Sequence, residues 1–186
     1  NTATTNAISY LRNTYDVPFI GIEPAIKPAA LNSKSKTIGV LATKGTLSSA
    51  LFNSTSKSYS EGIQIMEQDG EGLVPLIEAG QANSKNTKDL LLKYLKPMVE
   101  KDIDHLVLGC THYPYLIPVI KEILPNNVQI IDSGEAVAKQ TKNILEKQDL
   151  LAPKRISTHQ FYSNTNSKSL KEFLLDYDVA VDYLNF

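Results

Sequence analysis

Cysteine is almost absent from this chain: Cys110 is the single one in 186 residues. An internal disulfide is excluded, and a reducing, cytoplasmic compartment is the expectation. Metal ligands are scarce as well. Three histidines and one thiol make no zinc pattern. Neither charge dominates, with 19 Lys and Arg against 20 Asp and Glu, a net charge of -1. That balance has no electrostatic footprint for nucleic acid or an anionic membrane, so neither is expected as a partner. No apolar run approaches the roughly 20 residues that span a bilayer. Neither a P-loop nor a GxGxxG fingerprint occurs, so a nucleotide is not indicated.

What is present is ordinary for a globular protein: 42% hydrophobic and 21% charged residues. The length suits one large domain or two small ones. Strand and helix patterns alternate. A helix over 7–15 follows an Asn/Thr cluster that could cap it. A short buried strand is expected at 17–22, and a proline-bearing crossover at 23–28. Apolar strands follow at 37–42, 63–66, 105–109, 128–131 and 158–162. Helical patterns cover a stretch opening at 47, then 72–79 (stopped by Gly80), 88–98, 115–124, 133–145 and 169–175. Such alternation predicts an α/β fold with a parallel sheet.

Three places repeat one local pattern of apolar strand, short polar turn and helix start, at 42–46, 109–112 and 131–134. Backbone N–H groups and hydroxyls at such turns suit a carboxylate. Ligands of open α/β sheets bind outside the carboxyl ends of strands, where these turns lie. Cys110 sits in the second turn, within HLVLGCTHYPYL (105–116). A thiol at a strand end, two residues before His112, is placed to be reactive, although a lone cysteine with apolar flanks also reads as a small buried hydrophobe. His112 is either the imidazole that assists this thiol or a helix cap. Thr111 reads as an N-cap compatible with ligand binding, and Thr43 and Thr46 as turn residues. Glu78 follows an apolar run that could turn it inward, or it is a solvated carboxylate near Gly80. Asp132 to Glu135 reads as a structural helix start, and His105 and His159 as structural.

These blocks together resemble the glutamate racemases of the aspartate/glutamate racemase superfamily. LGCTHYP (108–114) looks like the motif around the second catalytic cysteine, and NTAT (1–4) like the segment after the first. GIEPAIKPAA (21–30), LATKGT (41–46), LVPLIEAG (73–80) and IDSGEAVA (131–138) look like further blocks in family order. The resemblance implies an aspartate/glutamate racemase-like α/β fold: two pseudo-symmetric domains with mostly parallel sheets flanked by helices. Residues 28–130 would form the second domain. Residues 1–27 and 131–186 would form the first, lacking its leading strands. It implies cofactor-independent interconversion of L- and D-glutamate by two cysteines, supplying D-glutamate for peptidoglycan in the cytoplasm, with no cofactor and no metal. Cys110 would be one of the pair and His112 its catalytic assistant. Asn1, Thr2, Thr43, Thr46, Thr111 and His112 would contact substrate, and Glu78 would support acid/base chemistry. The other cysteine is expected immediately before Asn1, so the 186 residues alone are expected to be inactive. A homodimer is compatible with this reading, which does not fix the oligomeric state. The alternatives are a related amino-acid racemase or decarboxylase, or a module that only binds an acidic amino acid. Racemisation needs a base on each face of the carbon, whereas decarboxylation needs one.

Overall fold

The computed structural model describes residues 1–153, 158–164, 168–174, 177 and 179–185. Among them the chain runs α1 (Thr2–Thr14), α2 (Ile26–Asn32), β1 (Thr37–Ala42), α3 (Lys44–Leu47), α4 (Ala50–Ser58), β2 (Gln64–Asp69), α5 (Leu73–Glu78), α6 (Lys85–Val99) and β3 (His105–Gly109). A 3-10 turn (Tyr113–Leu116), α7 (Ile117–Ile123), β4 (Gln129–Ile131), α8 (Gly134–Lys147), β5 (Gln160–Ser163), α9 (Lys168–Phe173) and β6 (Ala180–Tyr183) follow. Four strands form one parallel sheet in the order β2-β1-β3-β4, and β5 pairs with β6 in a separate parallel pair. The fold is α/β, with parallel strands flanked by helices.

The central strands β1 and β3 are buried along their whole length. A parallel strand covered on both faces reads as an unbroken apolar run, which is why TIGVLA and HLVLG stand out in the sequence. Side chains still alternate. Ile38, Val40, Ala42 and Val107 pack with Ile26, Ala29 and Ala30 of α2 and Phe52 of α4. Leu41, Leu106 and Leu108 face the other way, onto Leu73 and Ile77 of α5, Leu91, Leu95 and Met98 of α6, and Ile120 of α7. Each such aliphatic side chain, fully buried, contributes roughly 1.5–3 kcal/mol.

Several boundaries differ from the sequence reading. Residues 17–22 are not a strand, and Val17 is 59% exposed. Pro18 lacks an N–H, and α1 side chains take backbone groups that a ladder would have used. Arg12 Nη2 donates to Phe19 O at 2.9 Å, and Ile22 N donates to Thr4 Oγ1 at 3.1 Å. Gly21 lies against Ile8 and Thr4, so the apolar run packs on a helix instead of a sheet. Helix α1 begins at Thr2, which puts the Asn/Thr cluster inside the helix; Asn1, at its cap position, makes no side-chain cap bond. The expected crossover at 23–28 is partly helical. Pro28 falls in the first turn of α2, where an absent N–H costs no hydrogen bond. The helix expected at 115–124 divides into the 3-10 turn and α7. Strand β6 was not foreseen, and Leu175, the expected end of the last helix, lies outside the described residues.

Two devices hold the ends of β3. At its carboxyl end, Gly109 pairs in register with Ala42. A Cβ on Gly109 would stand 2.6 Å from Ala42 Cβ and 3.1 Å from Pro24 Cγ. At the other end, Asp104 accepts from Lys34 N (2.5 Å), Ser35 N (2.9 Å), Ser33 Oγ (2.8 Å) and His105 Nδ1 (2.8 Å), tying the entry of β1 to the entry of β3. Burial alone would raise the Asp104 pKa. The hydrogen bonds outweigh it, led by His105, and hold the carboxyl well below the usual carboxylate range. An ionised carboxylate only accepts, so Nδ1 of His105 carries the proton.

Gly109→Ala should lower unfolding stability by about 1–3 kcal/mol, the range for overpacking a tight core site. Urea unfolding measures this, and a variant as stable as the parent would contradict the close Ala42–Gly109 packing. Asp104→Asn should cost about 1–3 kcal/mol at pH 7. Because the folded-state pKa is depressed, that advantage of the parent is complete above the unfolded carboxylate value of about 3.9 and is lost as pH falls through the folded value. The gap between the parent and variant urea midpoints should therefore be the same at pH 7 and pH 5 and narrow at pH 3; a constant gap would show that the Asp104 charge is not the cause.

Candidate active site

Because β1 and β3 run parallel, the turns that leave them emerge at one edge of the sheet. Ala42 and Gly109 are register partners there, so Thr43 and Cys110 are the next residues outward on neighbouring strands. Cys110 is 8% exposed. The chain turns at once, with Tyr113 N donating to Cys110 O at 3.2 Å. That turn brings His112 back beside the thiol, with Nδ1 3.9 Å from Sγ, a long contact even for sulfur. The other ring nitrogen, Nε2, lies 3.1 Å from Oε1 of Glu78, the last residue of α5. A half-buried imidazole therefore bridges a buried thiol and a largely exposed carboxylate. The hydrogen bond with Cys110 is the strongest influence on His112 and raises its pKa above the ordinary 6.5. Burial opposes this and is outweighed, with the Cys110 charge and Glu78 adding to the rise.

A hydroxyl cluster stands on the β1 side. Thr2 Oγ1 lies 2.7 Å from Thr43 Oγ1 and 3.0 Å from Thr46 Oγ1, and the latter two are 3.1 Å apart. Gly45 permits this approach, since a Cβ there would stand 2.8 Å from Thr2 Cγ2. Asn6 Nδ2 donates to Gly45 O at 3.1 Å and to Thr2 O at 2.8 Å, joining α1 to the turn after β1. Asn1 precedes Thr2 at the cap position of α1. Its Oδ1 is buried with no hydrogen-bond partner among the described residues. A cavity of about 300 Å³ opens beside Thr43, with Lys44, Asp69 and Gly70 in its wall. Hydroxyls and amides can hold a polar ligand, and a thiol–imidazole–carboxylate chain can move a proton.

The structure thus gathers Cys110, His112 and Glu78 into one contact chain and Thr2, Thr43 and Thr46 into another. Thr111 is exposed at the same edge, but the cap position of the 3-10 turn belongs to His112, whose side chain makes no cap bond. Neither does the Thr43 hydroxyl cap α3. Asp132 and Ser133 are structural: Asp132 Oδ1 accepts from Gly134 N at 2.7 Å, and Ser133 Oγ donates to Glu23 O. His105 serves Asp104, and the exposed His159 lies near Phe161.

Sequence reasoning missed three supports. Asn6 is one. Tyr113 is another: its buried hydroxyl donates to Gly70 O at 3.2 Å, holding the loop after β2. Burial first, then the negative charges of Cys110 and Asp69 and the phenol of Tyr94, push its pKa up, so it stays a donor. The third is Phe173, whose ring centre is 6.4 Å from that of His112. A Tyr following His in an apolar motif is a legible hint of burial; nothing local in the sequence points to Asn6 or Phe173.

Known proteins similar to this chain include glutamate racemases. A glutamate racemase of Pseudomonas putida is 43% identical over 175 residues, 94% of this chain and 66% of that protein. One from Herpetosiphon aurantiacus is 42% identical over 153 residues, 82% of this chain and 60% of that protein. The chain thus spans less than two thirds of the length of these relatives. Among solved structures, a glutamate racemase isoform of Bacillus anthracis superposes with a TM-score of 0.84 at 29% identity, covering 98% of this chain and 70% of that one. The Escherichia coli glutamate racemase, solved with L-glutamate and the activator UDP-MurNAc-Ala, gives 0.79 at 29% identity, covering 95% and 68%. A family model for Asp/Glu/hydantoin racemases matches residues 1–141, well over half of the sequence, and the chain belongs to that family.

Proposed function

We propose that this chain is the greater part of a glutamate racemase, and that its sheet edge is one half of a two-base site inverting the α-carbon of glutamate without a cofactor. The observation that carries the reading is that the Cys110–His112–Glu78 chain and the Thr2–Thr43–Thr46 hydroxyls both lie where the neighbouring parallel strands β3 and β1 end. The names of its relatives supply the substrate.

In this mechanism the Cys110 thiolate takes the α-proton from one face of the bound amino acid, and the C–H electron pair stays on the α-carbon as a carbanion. A second thiol gives its proton to the opposite face, and the centre is inverted. In the reverse direction the two thiols exchange roles. The His112 imidazolium sits where it keeps a sulfur anion charged, and Glu78 holds the ring from its far side. Asn1, Thr2, Thr43, Thr46 and Thr111 bind the substrate's carboxylates and amine, with His112 contributing a donor. Cys110 is the one thiol of these 186 residues, so the second base comes from residues outside this sequence. Residues 28–130 form one racemase domain, and 1–27 with 131–186 belong to its pseudo-symmetric partner. The protein works in the cytoplasm and supplies D-glutamate to peptidoglycan.

His112 should titrate above pH 6.5 when followed by its ring NMR signals, and the midpoint should fall in Cys110→Ser, because the strongest raising influence is removed. A midpoint unmoved by that change would contradict the thiol–imidazole contact. In the longer protein carrying the second cysteine, Cys110→Ser should reduce net racemisation at least 100-fold, towards the activity of the 186 residues alone, followed by chiral chromatography. It should still eliminate from a D-substrate bearing a leaving group at Cβ and hardly from the L-enantiomer. Equal slowing of both eliminations, or racemisation near that of the parent, would defeat the two-base reading.

A further inference from the structure

The imidazole of His112 has little of its own to hold it. Its contact with sulfur is long, and its carboxylate partner is 55% exposed, where solvent screens a single ion pair. The torsion that turns an imidazole about its Cβ–Cγ bond is broad and roughly two-fold, so a half-turn would carry Nδ1 away from the thiol. Helix α9 stands against this ring from a distant part of the chain. Phe173 stacks on Tyr115, with centroids 4.3 Å apart and planes at 19°, and meets His112 nearly perpendicularly, at 6.4 Å and 85°. The neighbouring Glu172 lies against Gly80, two residues beyond Glu78, where an added Cβ would be 3.1 Å from its Oε2. One short helix therefore touches both the turn bearing His112 and the end of the helix bearing Glu78.

We infer that Phe173 is a positioning residue for His112: its ring, braced on Tyr115, walls one side of the imidazole and keeps Nδ1 towards Cys110 and Nε2 towards Glu78. The inference rests on the proposed function for its catalytic meaning, but the contact is testable without turnover. Rings in this arrangement attract beyond the area they bury, enough to bias a two-fold torsion by several-fold. Phe173→Tyr and Phe173→Trp keep a ring there; Phe173→Leu keeps bulk without one. Leu174→Ala, the next residue along, removes apolar surface without touching the ring.

The experiment is a double-mutant cycle read by His112 NMR in the full 186-residue chain. In the parent, Cys110→Ser should lower the His112 midpoint. In Phe173→Ala and Phe173→Leu the midpoint should start closer to 6.5, because the raising contacts outweigh burial and are lost with the orientation, and adding Cys110→Ser should shift it by less than half as much. Phe173→Tyr and Leu174→Ala should behave as the parent. If Cys110→Ser shifts His112 equally with and without the Phe173 ring, or if Leu174→Ala weakens the coupling as much as Phe173→Ala, the positioning role is overturned. The longer, two-cysteine protein supplies the functional arm. There, Phe173→Leu should lower kcat several-fold with KM little changed; a parent that does not racemise would count against the racemase reading and leave the contact standing, whereas an unchanged kcat in Phe173→Leu would overturn the catalytic part of the inference.

Discussion

The close pairing of Ala42 with Gly109 is the constraint on which the site depends. Both residues are the last of their strands, and the absence of a side chain at 109 lets the strand ends approach with Pro24 packed against them. Thr43 and Cys110 leave the sheet from that point. The hydroxyl cluster and the thiol thus share one edge because two parallel strands end level. A side chain at 109 would have to part the strands or expel the 24 segment, and the two halves of the site would separate with them. The adjacent strand β2 ends in the same layer, and its exit loop is held by the Tyr113 hydroxyl, which comes from the turn directly after Cys110. The edge is therefore braced from within the same motif that carries the thiol.

Two imidazoles flank β3, and their surroundings assign them opposite tasks. His105, at the entry, is almost fully buried and faces a carboxylate that three further donors hold ionised. Its proton is committed to Asp104, and the unit is a staple between loops. His112, at the exit, is half-buried between a sulfur and a carboxylate that is largely in solvent. It can gain or lose a proton with modest change in its surroundings, which suits an assistant to proton transfer. The same residue type, seven positions apart, is structural where its partner is saturated with donors and chemical where it is not.

The block around Cys110 was legible in the sequence because local physics is strong there. An apolar run covered on both faces, a glycine, a thiol and a proline-led turn can only be a buried strand leaving its sheet. The run at 17–22 was misread for the complementary reason. Apolar composition records burial without recording against what, and here the segment lies on α1, whose Thr4 and Arg12 side chains satisfy its backbone. The Asn/Thr cluster looked like a cap and proved to be the first turn of α1, with Thr2 turned to Thr43 and Thr46.

By itself the sequence determined the alternation of elements, the parallel sheet, the three turns at its edge and the presence of one thiol at a strand end, since these follow from hydrophobic period, turn residues and composition. It also excluded disulfides, zinc motifs and nucleotide fingerprints. Only the tertiary structure decided which side chains meet. Glu78 and His112 are 34 residues apart, Thr2 and Thr43 41 apart, and Ser33 reaches Asp104 across 71. No spacing rule encodes such contacts, because they arise from how α1, α5 and α9 dock on the sheet, and docking depends on the whole packed core rather than on any one segment.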